Sequence, residues 1–179
     1  MTSDDQLVAP LRQTYRFSSG RAQEADDPTY REPWQLRVLV VEDQPCDFRM
    51  ISRALGEMQE FDAAISRAAR IDEAVALIET NDFDVALIDY RLPDGTGDEV
   101  LVALEKKSSR CASIMVSDYS MAEVSLFALR AGAMSAVSKD DVTPVLLETT
   151  IRFALRNKAA RRELSETQMA FDKLRRSIL

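Results

Sequence analysis

The chain has 179 residues, 46% of them hydrophobic and 30% charged, which predicts one domain of about 120 residues with extensions. Its formal net charge is −7, a poor balance for coating nucleic acid or an anionic membrane. It has no histidine, which excludes imidazole bases, histidine metal ligands and a histidine autokinase within this chain.

Residues 1–35 hold four arginines against six acids, with Pro10, Pro28 and Pro33 and no sustained period, and are expected to be a largely irregular extension. One apolar patch within them (Leu7, Val8, Leu11, Tyr15, Phe17) is a candidate for a short docked helix. From Leu36 short apolar runs alternate with amphipathic stretches. The run 36–41 (LRVLVV) predicts a strand buried on both faces. Pro45 opens a helix in which Phe48, Ile51, Leu55 and Met58 recur at helical spacing. A weaker strand is predicted at 63–66 and a helix at 71–79, with Asp72 and Glu73 in its first turn. The run 85–89 (VALID) predicts a buried strand, followed by the turn-rich LPDGTG segment and a helix over 99–107. A strand at 112–116, a helix at 121–131, a short strand at 135–138 and helix from Val142 onward complete the pattern. Five β/α units with short loops predict an α/β fold, a doubly wound five-stranded parallel sheet whose chemistry collects at the carboxyl ends of the strands.

Those ends carry Glu42 and Asp43, then Asp89, Ser117 and Lys139. Several carboxylates converging on one edge suit a hard divalent cation such as Mg²⁺. With a lysine and a serine hydroxyl beside them, they supply what phosphoryl transfer to a carboxylate requires: a nucleophile, a metal and donors for the phosphoryl oxygens. The segments VLVVEDQP, VALIDYRLPDGTG, IMVS and AVSK, in this order, resemble the receiver domain of two-component response regulators over roughly residues 36–156. The resemblance implies a flavodoxin-like receiver fold, with Asp89 as the phosphoacceptor and Asp43 as the main metal ligand. It implies that Glu42 acts through metal-bound water and that the backbone carbonyl of Arg91 completes a Mg²⁺ site. Ser117 would be the switch hydroxyl and Lys139 a contact to the phosphoryl group. Three positions depart from the family pattern: Ala136 where an aromatic switch is usual, Asp118 where a small residue is usual, and Asp140 where proline is usual. Tyr119 is a candidate substitute for the missing aromatic. Arg91 also stands where a haloacid-dehalogenase phosphatase would need a second aspartate, which argues against that enzyme class.

The five glycines form neither a G-x-G-x-x-G nor a G-x-x-x-x-G-K loop. Cys46 and Cys111 are too few for a zinc site or a disulfide scaffold, which points to a reducing cytoplasm. No apolar run approaches the roughly 18 to 20 residues that span a bilayer, and Asp4 and Asp5 stand where a signal peptide is basic. Beyond Thr143-Pro144, a cap and first-turn proline, the chain runs helical without glycine to its end. Leu147, Ile151, Ala154 and Leu155 form the stripe expected to pack on the sheet. A second stripe keeps a seven-residue repeat through Leu146, Thr150, Phe153, Asn157, Ala160, Leu164, Thr167, Phe171, Leu174 and Ile178. A helix that leaves the domain needs a partner, so residues 157–179 are expected to form a coiled coil in a homodimer. The alternative is that they fold back on their own domain. Segment 152–179 has eight basic and three acidic residues spread around the helix, which reads as a solvated flank rather than a nucleic-acid or membrane contact. The expected function is a response regulator receiver taking phosphoryl from a histidine kinase or phosphotransfer protein; the alternative is a phosphate-independent pseudo-receiver acting as an interaction module.

Overall fold

The computed structural model describes residues 33–107, 110–118 and 133–178. Five strands, β1 (Trp34–Val41), β2 (Phe61–Ala68), β3 (Val85–Asp89), β4 (Ala112–Ser117) and β5 (Ser135–Ser138), form one parallel sheet in the order β2-β1-β3-β4-β5. The order reverses between β1 and β3, so the loops leaving these two strands diverge and open a crevice at their carboxyl ends. The expected doubly wound sheet is present.

Both faces of the sheet are covered, which is why its strands read as continuous apolar runs rather than alternating ones. On one face Val38, Val40, Leu87, Ile114 and Val116 pack with Phe48, Ile51 and Leu55 of α1 (Pro45–Gly56) and Leu147, Ile151 and Ala154 of α4 (Pro144–Ile178). On the other, Leu39, Val41, Ala86, Ile88 and Met115 pack with Ile71, Ala74 and Ile78 of α2 (Ile71–Thr80) and Val100, Leu101 and Leu104 of α3 (Asp98–Lys107). Thr143 caps α4 as expected, its hydroxyl accepting the Leu146 N–H at 3.2 Å.

Some boundaries differ from expectation. Trp34 and Gln35, placed by the sequence in the extension, belong to β1 and pair with Phe61 and Asp62. The same pairing lengthens β2 to eight residues, because β1 lends it a full ladder that the polar Asp62, Ser66 and Arg67 conceal in its own sequence. The turn-rich segment after Asp89 closes a two-residue hairpin, Arg91–Leu92 against Gly95–Thr96. Lys139–Asp141 form a single 3₁₀ turn between β5 and α4. The expected helix over 121–131, Tyr119 and the apolar patch near the N-terminus lie outside the described residues.

Helix α4 has 35 residues, about 52 Å at 1.5 Å per residue. Leu147, Ile151 and Ala154 of the expected packing stripe are buried and Leu155 is partly buried; Lys158 extends the stripe by one turn, its ammonium 2.6 Å from Glu105 on α3. Beyond Lys158 no described side chain of α4 is buried. Replacing Leu147, which is fully enclosed, by alanine should lower stability by about 2–5 kcal/mol in urea unfolding.

Candidate functional site

Glu42 and Asp43 follow β1 directly, and the Glu42 N–H donates to the Ala68 carbonyl at 2.9 Å, extending the β1–β2 ladder by one residue. The Glu42 side chain is thereby fully buried, with Oε1 accepting the Gln44 N–H at 3.0 Å. Asp89 ends β3, also buried, with Oδ1 accepting the Arg91 N–H at 3.3 Å. Carboxylate oxygens of Glu42, Asp43 and Asp89 all lie within 4.8 Å of one another. Lys139, just past β5, brings its ammonium to the same point: Nζ is 2.9 Å from Glu42 Oε2, Asp47 Oδ2 and Asp89 Oδ2.

Burial pushes the Glu42 and Asp89 carboxyls above their ordinary range, against the pull of Lys139; the charge of Asp118 pushes Asp89 the same way. Asp47, hydrogen-bonded to Lys139, is held below it. Burial works against the Lys139 charge, but its pairing with Glu42, Asp89 and Asp47 outweighs that and raises its pKa.

The expected residues therefore converge. Ser117 ends β4 and is buried; Val116 lies level with Asp89 in the sheet, which puts Ser117 one residue beyond, at the same edge. Arg91 sits in the hairpin, exposed, with its backbone turned to Asp89. Asp43 is not the helix cap its position before Pro45 allows. Gln44 occupies the cap position without a side-chain bond and instead donates from Nε2 to Asp43 Oδ2 at 2.7 Å. Ala136, half-buried, packs toward the α2–α3 side of the core.

Two residues of the site were not singled out in the sequence. Asp47, in the first turn of α1, is the third carboxylate on Lys139; its one sequence signal is its place four residues after Asp43, on the turn that follows the acidic pair. Arg67, near the end of β2, carries no such signal. Its guanidinium donates to the carbonyls of Glu42 (3.2 Å) and Asp43 (3.1 Å) and lies 4.5 Å over the Phe48 ring, fastening the β1–α1 loop from the neighbouring strand.

The hairpin after β3 is tied on both sides. A Cβ on Gly97 would collide with the Asp89 carbonyl oxygen and come within 2.9 Å of Ile88 Cγ2, so the close approach requires glycine. Asp94 caps a helix that is not its own: its carboxylate accepts the N–H groups of Ile71 and Asp72 at 3.0 and 3.2 Å, at the start of α2.

With the fold and the acidic crevice in hand, comparison with known proteins identifies the class. The chain matches the response regulator receiver domain family over residues 38–151. It belongs to that family. It is 30% identical over 104 residues to the response regulator protein PilR of Pseudomonas aeruginosa, a match that takes in 58% of this chain and 22% of PilR. Among solved structures it is similar to a CheY-like response regulator receiver domain protein from Methanospirillum hungatei, with 31% identity, a TM-score of 0.58, and 71% of this chain against 98% of that one. A fusion protein bearing a trimeric coiled-coil segment of yeast Spc42 shares the fold at 20% identity and a TM-score of 0.63, over 80% of this chain and 90% of that one. The chain thus spans about a fifth of the length of PilR and nearly all of the isolated receiver structure.

The Asp94 carboxyl is held low by the Ile71 N–H, then by the Asp72 N–H and Arg70. A depressed folded pKa contributes stability that is complete above the ordinary carboxylate range and is lost as pH falls through the folded value. Asp94→Ala should therefore lower the urea midpoint at pH 7, and its difference from the native chain should shrink as pH drops below about 4.

Proposed function

We propose that this chain is a phosphoacceptor receiver module of a two-component system, with Asp89 as the residue phosphorylated. The observation that carries this reading is the shared Lys139 ammonium beside three mutually close carboxylates at one sheet edge. Asp89 attacks the phosphorus of a phosphohistidine on a histidine kinase or phosphotransfer protein; the new O–P bond forms as the N–P bond breaks, and its electron pair returns to the imidazole. Lys139 and the Ser117 hydroxyl stabilise the phosphoryl oxygens.

The residues fit a Mg²⁺ ion. Glu42, Asp43, Asp47 and Asp89 bring four negative charges to the edge against the one positive charge of Lys139, a local excess of three. Asp43 and Asp89, the Arg91 carbonyl, and Glu42 through water would hold the ion. Bound there, it supplies positive charge that neutralises carboxylate and phosphoryl oxygens. The working unit is residues 36–156, preceded by an extension and followed by helical tail 157–179, and it acts in the cytoplasm; among the described residues no helix is long and apolar enough to cross a membrane. A second reading, an interaction module that signals without phosphate, is favoured by Ala136 in place of an aromatic and by the charge of Asp118 beside the acceptor.

The tail's partner is a second copy of the chain. Leu164 and Phe171 of the seven-residue repeat are 72% and 62% exposed, and Phe153 is exposed as well, off the face that packs on the sheet. Burying side chains of this size contributes about 1.5–3 kcal/mol each, so six across a dimer can exceed an association cost of about 4–15 kcal/mol. A coiled coil is the geometry that buries such a repeat, and receiver pairing through it is the output this chain itself carries.

Three experiments test these readings. Asp89→Asn should take no phosphoryl from a phosphohistidine donor, and Asp43→Ala should lose Mg²⁺ affinity while remaining folded; labelling of the asparagine variant at the native level would move the acceptor elsewhere. In sedimentation at micromolar concentration the full chain should run as a dimer and Leu164→Asp/Phe171→Asp as a monomer. A native monomer would mean that the tail folds back.

A further inference from the structure

A lysine ammonium has three N–H donors, and three carboxylate oxygens stand 2.9 Å from Lys139 Nζ: Glu42 Oε2, Asp47 Oδ2 and Asp89 Oδ2. The lysine side chain is only 5% exposed, so water does not compete for these positions. Two of the donors are hydrogen-bonded, to Asp47 and Asp89, and Glu42 Oε2 closes the third side at ion-pair distance, so a phosphoryl oxygen arriving at Asp89 meets an ammonium already enclosed by three carboxylates. It reaches Nζ only if one of these carboxylates moves aside.

The three carboxylates are unequal in this respect. The Glu42 and Asp89 side chains are 1% and 7% exposed, whereas that of Asp47 is 26% exposed. Releasing Glu42 would strand a buried charge without a partner, the most unfavourable outcome available. Asp89 is the reacting group and stays in place. Asp47 can turn to water, and its charge keeps a second source of stabilisation there, because it lies in the first turn of α1, at the positive end of the helix dipole.

We propose that Asp47 is the displaceable partner of Lys139, a positioning residue that occupies an ammonium donor in the unmodified site and yields it to the phosphoryl group. This rests on the reading of Asp89 as phosphoacceptor. Asp47 thus acts as an internal anion with two opposed effects. Its charge strengthens the hold of the crevice on a divalent cation, and its grip on Lys139 weakens the hold on an incoming oxyanion. Its release also frees the first turn of α1 from Lys139, which links the occupancy of Asp89 to a helix on the opposite side of the sheet from Ala136.

The test separates the two effects in the full-length chain. Titrating Mg²⁺ alone by calorimetry, and beryllofluoride at saturating Mg²⁺ by fluorine NMR, compares the native protein with Asp47→Asn and Asp47→Ala. Both variants should bind Mg²⁺ about threefold more weakly and beryllofluoride about threefold to tenfold more tightly, the scale of one partly screened charge at this distance. Asp47→Glu, which keeps the charge, should restore Mg²⁺ affinity. A merely structural contribution of Asp47 would weaken both ligands together, and that result, or unchanged beryllofluoride affinity, overturns the proposal. Failure of the native chain to bind beryllofluoride would overturn the phosphoacceptor reading along with it, whereas native binding with unmoved variants would overturn the role of Asp47 alone.

Discussion

Burying a carboxylate without a counter-charge costs several kcal/mol, and strands β1 and β3 are each followed or ended by a buried one, Glu42 and Asp89. The rest of the crevice is arranged around that constraint. Lys139 answers both charges with a single ammonium, which can reach them only because β5 lies two strands from β3 and its carboxyl end comes out on the same edge. One cation cannot neutralise the full set once Asp43 and Asp47 are added. The residual negative charge is the electrostatic basis for a divalent cation at this edge, and the parallel sheet is what prevents the carboxylates from spreading apart to relieve it.

The backbone shares in that restraint. Arg67 fastens the β1–α1 loop by two carbonyls and by its contact with Phe48, so Glu42 and Asp43 cannot drift away from Asp89. On the other side Gly97 lets the hairpin press against the Asp89 carbonyl, and its N–H donates to the Tyr90 carbonyl at 2.9 Å. Asp94 then anchors that hairpin to the start of α2. Both of these loops are thus tied to elements that are not their sequence neighbours, and the carboxylates they carry are positioned before any ligand arrives, as an electrostatic site requires.

Most of the fold was legible in the sequence because both faces of the sheet are buried. Leu36–Val41, Val85–Asp89 and Ala112–Val116 are nearly continuous apolar runs that few other structures explain. Strand β2 is longer than its own sequence pattern shows because it is an edge strand: Asp62, Ser66 and Arg67 break its apolar pattern, and its length is set by its pairing with β1. The same distinction runs through the site. Glu42, Asp43, Asp89, Ser117 and Lys139 were legible because each sits at the end of a recognisable strand. Asp47 and Arg67 were not, since an acid in the first turn of a helix and an arginine on an edge strand are ordinary solvated residues until the fold brings them against Lys139 and the β1–α1 loop. Asp94 was legible as a turn residue; that the helix it caps begins 23 positions earlier is a fact of tertiary structure.

Among the described side chains of helix α4 the last buried one is Lys158, paired with the exposed Glu105, and the helix continues to Ile178, a projecting arm of about 30 Å. Mechanically that pair is a fulcrum. A tilt of about 10° there sweeps the far end of the arm by about 5 Å for a rise of 1.5 Å per residue, while atoms near the fulcrum hardly move. Displacements too small to repack a close-packed interior are therefore enlarged at the tip into ones comparable with a helical turn.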